Sequence, residues 1–509
     1  MTAKNRFFRD GALLTAVALA VRTVNLFFGA FVGRTVLAEG LGLYTLLMTV
    51  FGFAVTFATS GVSLTVTRLC ADAVGEGDFP RVRAVLRASV RYALAFSLTA
   101  TLFLLLLARP LALRAVGDMR AAPALSVLAL SLCPIALSAV FSGYFIGVHR
   151  VARNAAAQVL TQGVRMGVTC LFLRQVAAGG AIPACFFLSA VSAGSDVLCF
   201  LLLLGQFLAE QRSLPPAGDS AMPRVIGMAV PLAFSAYIRQ ALLTVEHILI
   251  PERLCKGGST RAEALASYGV LHGMAMPVLL YPMAPLTSFS GLLVPEFAEC
   301  LAAGKHDRMR RMAEQAVHAT LVYAVAVAVI LWLFSEEIGF RVYHSYQAGY
   351  FIAVLAVVVP MMYLDHVTDA MLKGIGEHVY SMWVNISDAA LSVVLVYFLL
   401  PRLGILGYAV AIILMESYNF LLSFLRLRRR VRFALRPGRS LLLPALCAAL
   451  AAFATRRLFI MHGDVTSHLW LLLKILFAAC LFLALYLPSV LLWDRLFART
   501  VRKKGGIVT

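Results

Sequence analysis

Arg22 stands about halfway along an apolar run of roughly 20 residues, and Asn25 follows on the same helical face. An ionised side chain at mid-bilayer costs about 2.5–3.5 kcal/mol on insertion scales. An arginine kept at that depth therefore faces a cavity or a partner, since snorkelling is a poor escape from it. Its planar guanidinium offers two parallel donors and suits a phosphate. Arg22 and Asn25 are expected to line a cavity for an anionic ligand; an ion pair made purely for packing is the alternative.

Arg239, Glu246 and His247 fall in the seventh apolar run, at spacings that return to one helix face. They are read as an opposing wall of the same cavity. Glu246 either lines that wall or pairs with Arg22 or Arg239. His272, near the start of the eighth run, is either a hydrogen-bonded helix residue or a further ligand group. In YLDHVTDAMLKG, Asp365, Asp369 and Lys373 are spaced by four. Asp369 and Lys373 attract at that spacing while Asp365 and Asp369 repel. The row is either a solvated helix end or, with Asp388, a site for a coupling proton or monovalent cation. Asn385 with Asp388, and Glu416 with Asn419, are polar pairs one turn apart whose expected role is interhelical hydrogen bonding. Pro231 in the seventh run and Pro277, Pro282 and Pro285 in the eighth each remove a backbone hydrogen bond and permit a kink. Pro231, Pro277 and Pro282 are read as a bent gate or hinge.

No nucleotide-binding loop of the type G-x-x-x-x-G-K-[ST] is present, nor H-E-x-x-H or G-x-S-x-G. The chain is not expected to be an enzyme. The 9 cysteines are scattered singly with no metal-ligand spacing, so neither a metal nor a cofactor is expected.

The elements that must position these residues are membrane helices. Of 509 residues, 61% are hydrophobic and 14% charged, against about 45–50% and about 25% in a soluble domain. Continuous apolar runs of helix length exclude the alternating pattern of a β-barrel. The expected fold is all-α integral membrane, with about fourteen spans. They cover 11–33, 42–67, 86–108, 121–148, 155–175, 181–208, 224–250, 265–294, 312–335, 348–372, 379–400, 404–425, 440–461 and 468–493. The net charge of +20 sits in short connections rather than on one surface. Lys and Arg crowd alternate loops, which puts both termini in the cytoplasm of a bacterial inner membrane and argues against nucleic acid as a partner. The basic N-terminus leads into a span too long for a signal-peptide core and is read as a retained first helix.

An internal repeat divides the chain. TRLCADAVGEGDFPRVRAVLRAS (67–89) and VPEFAECLAAGKHDRMRRMAEQA (294–316) align without gaps, matching Asp72 with Glu299, Gly77 with Gly304, Arg81 with Arg308 and Arg83 with Arg310. Parallel repeats of this kind are a transporter signature, with the substrate between the halves. The expected organisation is a six-helix bundle over 1–212, a cytoplasmic linker over 213–223, a second six-helix bundle over 224–430, and two appended spans with a basic tail over 431–509.

YGVLHGMAMPVLLYPMAPLTSFSGLLVPEFAE (268–299) resembles the eighth-helix region of the stage V sporulation protein B family, polysaccharide-type flippases of the multidrug/oligosaccharidyl-lipid/polysaccharide exporter superfamily. The matching residues are Tyr268, Gly269, Gly273, Met274, Ala275, Pro277, Pro282, Leu293, Val294, Pro295 and Glu299. KGIGEHVYSMWVNI (373–386) is similar to that family's segment between helices ten and eleven. The resemblance implies two bundles in a V around a cationic cavity, and alternating-access transport of a polyprenyl-diphosphate-linked saccharide from inner to outer leaflet. The substrate would be a cell-wall, spore or polysaccharide precursor of the lipid II type. Related lipid II flippases carry an arginine in the first helix, which Arg22 matches. They also carry arginines in the second and eighth, where this chain has none in the second and His272 in the eighth. The implied partners are the lipid-linked glycan, membrane lipids and envelope-synthesis enzymes, and the lipid tail is expected beside the two appended helices. A cation-coupled multidrug exporter of the same superfamily and a non-transporting scaffold for envelope synthesis are the alternative functions.

Overall fold

The computed structural model describes residues 3–113, 119–148, 150–211, 221–433, 438–460 and 468–504. Within these, 3–22 and 491–504 are described as backbone only. The expected linker falls outside the described residues up to position 220. The chain runs α1 (Ala3–Thr59), α2 (Val62–Gly75), α3 (Phe79–Leu111), α4 (Ala122–Gly147), α5 (Val151–Ala177), α6 (Ala181–Gln211), α7 (Met222–Lys256), α8 (Arg261–Tyr268) and α9 (Met276–Leu280). It continues with α10 (Ala284–Ala302), α11 (His306–Leu333), α12 (Ser335–Tyr343), α13 (Tyr346–Ala356), α14 (Val359–Gly374), α15 (His378–Leu403), α16 (Ile405–Val431), α17 (Leu443–Ile460) and α18 (His468–Lys504). A π-helical segment, Gly269–Ala275, joins α8 to α9, and a 3-10 turn, Tyr281–Met283, joins α9 to α10. No strand occurs among the described residues.

By length and hydropathy, 10 helices can cross a membrane among the described residues, or up to 12 with two bent pairs. The expected fourteen is not reached on that criterion, for two physical reasons. Thr23–Gly75 is counted once with 53 residues. At 1.5 Å per residue it is about 80 Å long, far beyond a core of about 30 Å. It holds the latter part of the first expected span and all of the second, and Leu37, at φ 64 in the left-handed region, breaks the helix between them. The other is α5, which carries Arg153, Arg165 and Arg174 and is too polar to qualify.

The repeat seen in the loops persists in the backbone. After α2, the N–H groups of Glu76, Gly77 and Asp78 donate to the carbonyls of Asp72, Val74 and Ala73 at 3.0, 3.1 and 2.8 Å. After α10, those of Ala303, Gly304 and Lys305 donate to Glu299, Leu301 and Cys300 at 2.9, 3.1 and 2.9 Å. Each residue of the second set stands at the same offset from its counterpart in the first. Gly77 and Gly304 supply the positive φ (75 and 65) that such a helix end requires. Packing repeats as well. A Cβ on Gly147 of α4 would meet the Thr67 carbonyl of α2 at 2.7 Å, and one on Gly374 of α14 would meet the Val294 carbonyl of α10 at 2.8 Å. Close helix approach through small residues replaces the hydrophobic drive that lipid cannot supply.

The chain forms two compact units. One comprises 31–269 and 389–405; its core joins Val62, Val66 and Leu69 to Val85, Leu128, Leu132, Tyr144 and Phe145. The other comprises 1–30, 270–388 and 406–509. In it α17 and α18 dock on α11 through Ala326, Ala448, Ala451, Phe482 and Tyr486. His318 of α11 bonds Ser440 there at 2.8 Å.

Candidate substrate cavity

In the second unit described above, a cavity of about 310 Å³ is lined by Asn25 and Leu26 of α1 and by Pro277, Leu280, Tyr281 and Met283. Two expected residues, Asn25 and Pro277, thus share one cavity wall. Arg22 lies one turn before Asn25 on α1; its side chain is outside the described residues. The Tyr281 and Thr23 hydroxyls are hydrogen-bonded at 2.7 Å, tying the proline-rich run to α1.

Sequence explains why that run is irregular. Pro277, Pro282 and Pro285 lack N–H groups, so a continuous α ladder is impossible and the chain passes through π, α and 3-10 pieces. In lipid, carbonyls that an irregular helix leaves short of donors need an internal one. Tyr363 of α14 donates to the Leu279 carbonyl at 2.8 Å, and Tyr323 of α11 donates to the Pro282 carbonyl at 2.6 Å. The two rings are stacked, with centroids 6.2 Å apart. Two tyrosines of neighbouring helices thus add hydrogen bonds to the broken segment. His272, on the π segment, bonds the Tyr408 hydroxyl of α16 through Nε2 at 2.9 Å.

The acidic residues of the same unit converge. Asp365 lies beside Ser423, Asp369 and Lys373, and Glu416 lies beside both Asp365 and Asp388. Asp369 pairs with Lys373 at 2.5 Å and accepts a hydrogen bond from Ser381. The Asn385 amide donates to the Ser381 carbonyl at 2.8 Å. Helices α14, α15 and α16 thus bring one polar centre together from three sequence segments. No group of three His, Cys, Asp or Glu among the described residues is arranged to hold a metal. On the flank of this centre, Glu377 bonds Arg426 at 2.8 Å and Arg430 at 2.5 Å. The hydrogen bond from Arg426 holds its carboxyl below the ordinary glutamate range.

In the other unit, α7 carries the expected Arg239, Glu246 and His247. Glu246 is 3% exposed. His247 bonds the Tyr268 hydroxyl through Nδ1 at 2.6 Å, the two rings edge to face. Arg239 is exposed. Bending at Pro231 is evident, since Met222–Pro231 and Ala236–Lys256 differ by 42°.

The tyrosines Tyr281, Tyr408 and Tyr268 were not among the expected site residues. Their signal in the sequence is faint, because a tyrosine in an apolar run reads as core until its hydroxyl partner is known. Asp196 was missed too; it lies beside Arg165 and Ser131, and Arg165 donates to Gln162 at 2.5 Å.

Comparison with known proteins gives this arrangement a family. Residues 7–301 match the family described as polysaccharide biosynthesis protein, and residues 258–398 match MatE. Stage V sporulation protein B of Bacillus subtilis (strain 168) is 27% identical over 425 residues, covering 81% of each chain. Sporulation protein YkvU of the same organism is 22% identical over 434 residues, covering 82% of this chain and 94% of its own. Among solved structures, the lipid II flippase MurJ in an inward closed conformation superposes with a TM-score of 0.70 at 13% identity, over 95% of this chain and 100% of that one. An inward-facing multidrug resistance MATE family transporter gives 0.66 at 16% identity, over 82% and 98%. The two solved structures are a multidrug resistance transporter and a lipid II flippase. This chain is a multi-pass membrane protein that belongs to the polysaccharide biosynthesis protein family.

Proposed function

We propose that the chain is a flippase that carries a polyprenyl-diphosphate-linked saccharide, a cell-wall or polysaccharide precursor, from the inner to the outer leaflet. The observation that carries this reading is the cavity bounded by Asn25 and Tyr281, one turn from Arg22 on the same helix. Asn25 and Tyr281 have groups that hydrogen-bond sugar hydroxyls, and an arginine one turn away on α1 has the chemistry to bind phosphate. Arg22 grips the diphosphate. Asn25 and His272, of the same unit, serve as further headgroup contacts.

Energy comes from a proton or monovalent cation taken up among Asp365, Asp369 and Asp388, or from the membrane potential. Pro231, Pro277 and Pro282 act as the bends about which access alternates. The transporting body is two six-helix halves with two appended spans, both termini cytoplasmic in the inner membrane. Envelope-synthesis enzymes that make and consume the precursor are its partners. The likeness to stage V sporulation protein B and to the lipid II flippase MurJ supports the reading. Replacing Arg22 with Ala should abolish outer-leaflet delivery at normal protein levels, measured by leaflet-resolved accessibility of a defined lipid-linked oligosaccharide; unchanged delivery would sink it.

A cation-coupled multidrug exporter is a second reading, favoured by the MatE match over 258–398 and by the carboxylates of α14, α15 and α16. It predicts efflux of organic cations that Asp388→Asn stops and Arg22→Ala spares.

A further inference from the structure

Two breaks interrupt helices of the unit that comprises 31–269 and 389–405, one between α1 and α2 and one within α7. At the first, Ser60 and Gly61 both take left-handed backbone, with φ of 44 and 69. Glycine adopts that region freely, whereas serine rarely does. A residue kept there is held by its surroundings, and such positions gather at clamps and switches. Ser60 is fully buried. At the second break, Met222–Pro231 and Ala236–Lys256 differ by 42°, a bend that Pro231 permits because it has no N–H to continue the ladder.

One side chain joins the two breaks. Tyr237 is the second residue of the α7 segment beyond the bend, and its hydroxyl is hydrogen-bonded to Oγ of Ser60. From α3, Tyr92 donates to the Ser60 carbonyl at 3.3 Å. The rings close the circuit, with centroids 4.6 Å apart for Tyr92 and Phe96, 5.7 Å for Phe96 and Phe57, and 5.4 Å for Phe57 and Tyr237. An aromatic row from α3 through α1 to α7 therefore has both its hydroxyl ends on one serine. Packing alone would need neither hydroxyl, since the rings already meet. In lipid, however, an interrupted helix persists only where its polar groups find internal partners. The two tyrosines differ in what carries them. Tyr92 stands on α3, which is continuous over Phe79–Leu111. Tyr237 stands on the segment whose direction the bend sets, and its hydroxyl is at the far end of the ring from the helix axis. A change in the bend therefore displaces that hydroxyl from Ser60 and leaves Tyr92 in place.

We propose that Tyr237 couples the bend of α7 to the left-handed break at Ser60 and Gly61, so that the two change together as one conformational switch. Tyr237 is a positioning residue in that switch, and Tyr92 is its fixed anchor. The inference concerns this unit alone and stands whatever molecule is transported.

The test uses the full-length chain in lipid nanodiscs and is read without transport. Tyr237→Phe keeps the ring and removes the hydroxyl. It should raise amide hydrogen exchange over residues 59–66 about two- to tenfold, the range set by one lost hydrogen bond. Coupling is reciprocal. Ser60→Ala should therefore shift the distance distribution between spin labels at positions 227 and 245, which flank the α7 bend, as Tyr237→Phe does. Pro231→Ala should change exchange over 59–66 in the natural chain but not in the Tyr237→Phe background. If Ser60→Ala leaves the α7 distances unchanged, or Pro231→Ala acts equally in both backgrounds, Tyr237 is a static brace and the proposal is overturned. Should Pro231→Ala fail to fold, the distances measured in Ser60→Ala decide alone.

Discussion

Gly42 and Gly269 are repeat counterparts that pack against each other: a Cβ on Gly269 would come within 2.6 Å of the Gly42 nitrogen, and one on Gly42 within 3.1 Å of the Gly269 nitrogen. Each also lies under the other copy's carbonyl, Leu265 over Gly42 and Ala38 over Gly269. The contact is self-complementary in the way a two-fold interface is, with residue i meeting j and j meeting i. Neither position has room for a methyl group. Gly42→Ala and Gly269→Ala should each destabilise the protein by about 1–3 kcal/mol through overpacking, and by similar amounts. Because they share one contact, their effects should not add. Gly29→Ala and Gly227→Ala, with open space around them, are the controls and should be neutral or slightly stabilising. Thermal unfolding in detergent measures all four.

Tyr281→Phe should leave the fold intact while loosening the proline-broken run from α1. The lost bond to Thr23 is worth about 0.5–1.5 kcal/mol, or about two- to tenfold in outer-leaflet delivery if the geometry matters to transport. Arg22→Lys keeps charge but loses the bidentate fork, so delivery should fall between wild type and Arg22→Ala. Initial rates across substrate concentrations separate binding from turnover.

Removing one carboxylate from the centre formed by α14, α15 and α16 should uncouple transport from its driving gradient. In vesicles with an imposed proton or sodium gradient, Asp365→Asn and Asp388→Asn should deliver at the same rate with and without it. A gradient response retained in both variants rules out the coupling role.

Glu377 predicts a pH dependence of definite sign. Its carboxyl is held below the ordinary glutamate value, first by the hydrogen bond from Arg426 and then by the charges of Arg426 and Arg430. A depressed folded pKa means that the native state favours the ionised form. The clamp's contribution is complete above the unfolded value of about 4.3 and is lost as pH falls through the lower folded value. The stability difference between wild type and Glu377→Gln should therefore be constant near neutrality and vanish in acid. Unfolding midpoints measured from pH 7 downward check this.

The amino-acid sequence by itself determined the solvent, the element type and the duplication. Excess apolar surface has nowhere to go but lipid, and lipid permits helices because their backbone bonds are internal. Gly77 and Gly304 were legible as counterparts because a positive φ after a helix leaves few residues to choose from. Asn25 and Pro277 could be singled out because polar groups and prolines are costly in a membrane helix. Their meeting in one cavity could not, since a separation of 252 positions carries no distance information.

Tertiary structure decided the partners. It matched His272 with Tyr408 and gathered Asp365, Asp388 and Glu416 from three helices. Helix period specifies which face a side chain occupies, but only packing specifies what faces it. The span count shows the same division. Hydropathy marked the runs, while the left-handed Leu37 and the arginines of α5 determined how the helices join and which meet a strict membrane criterion.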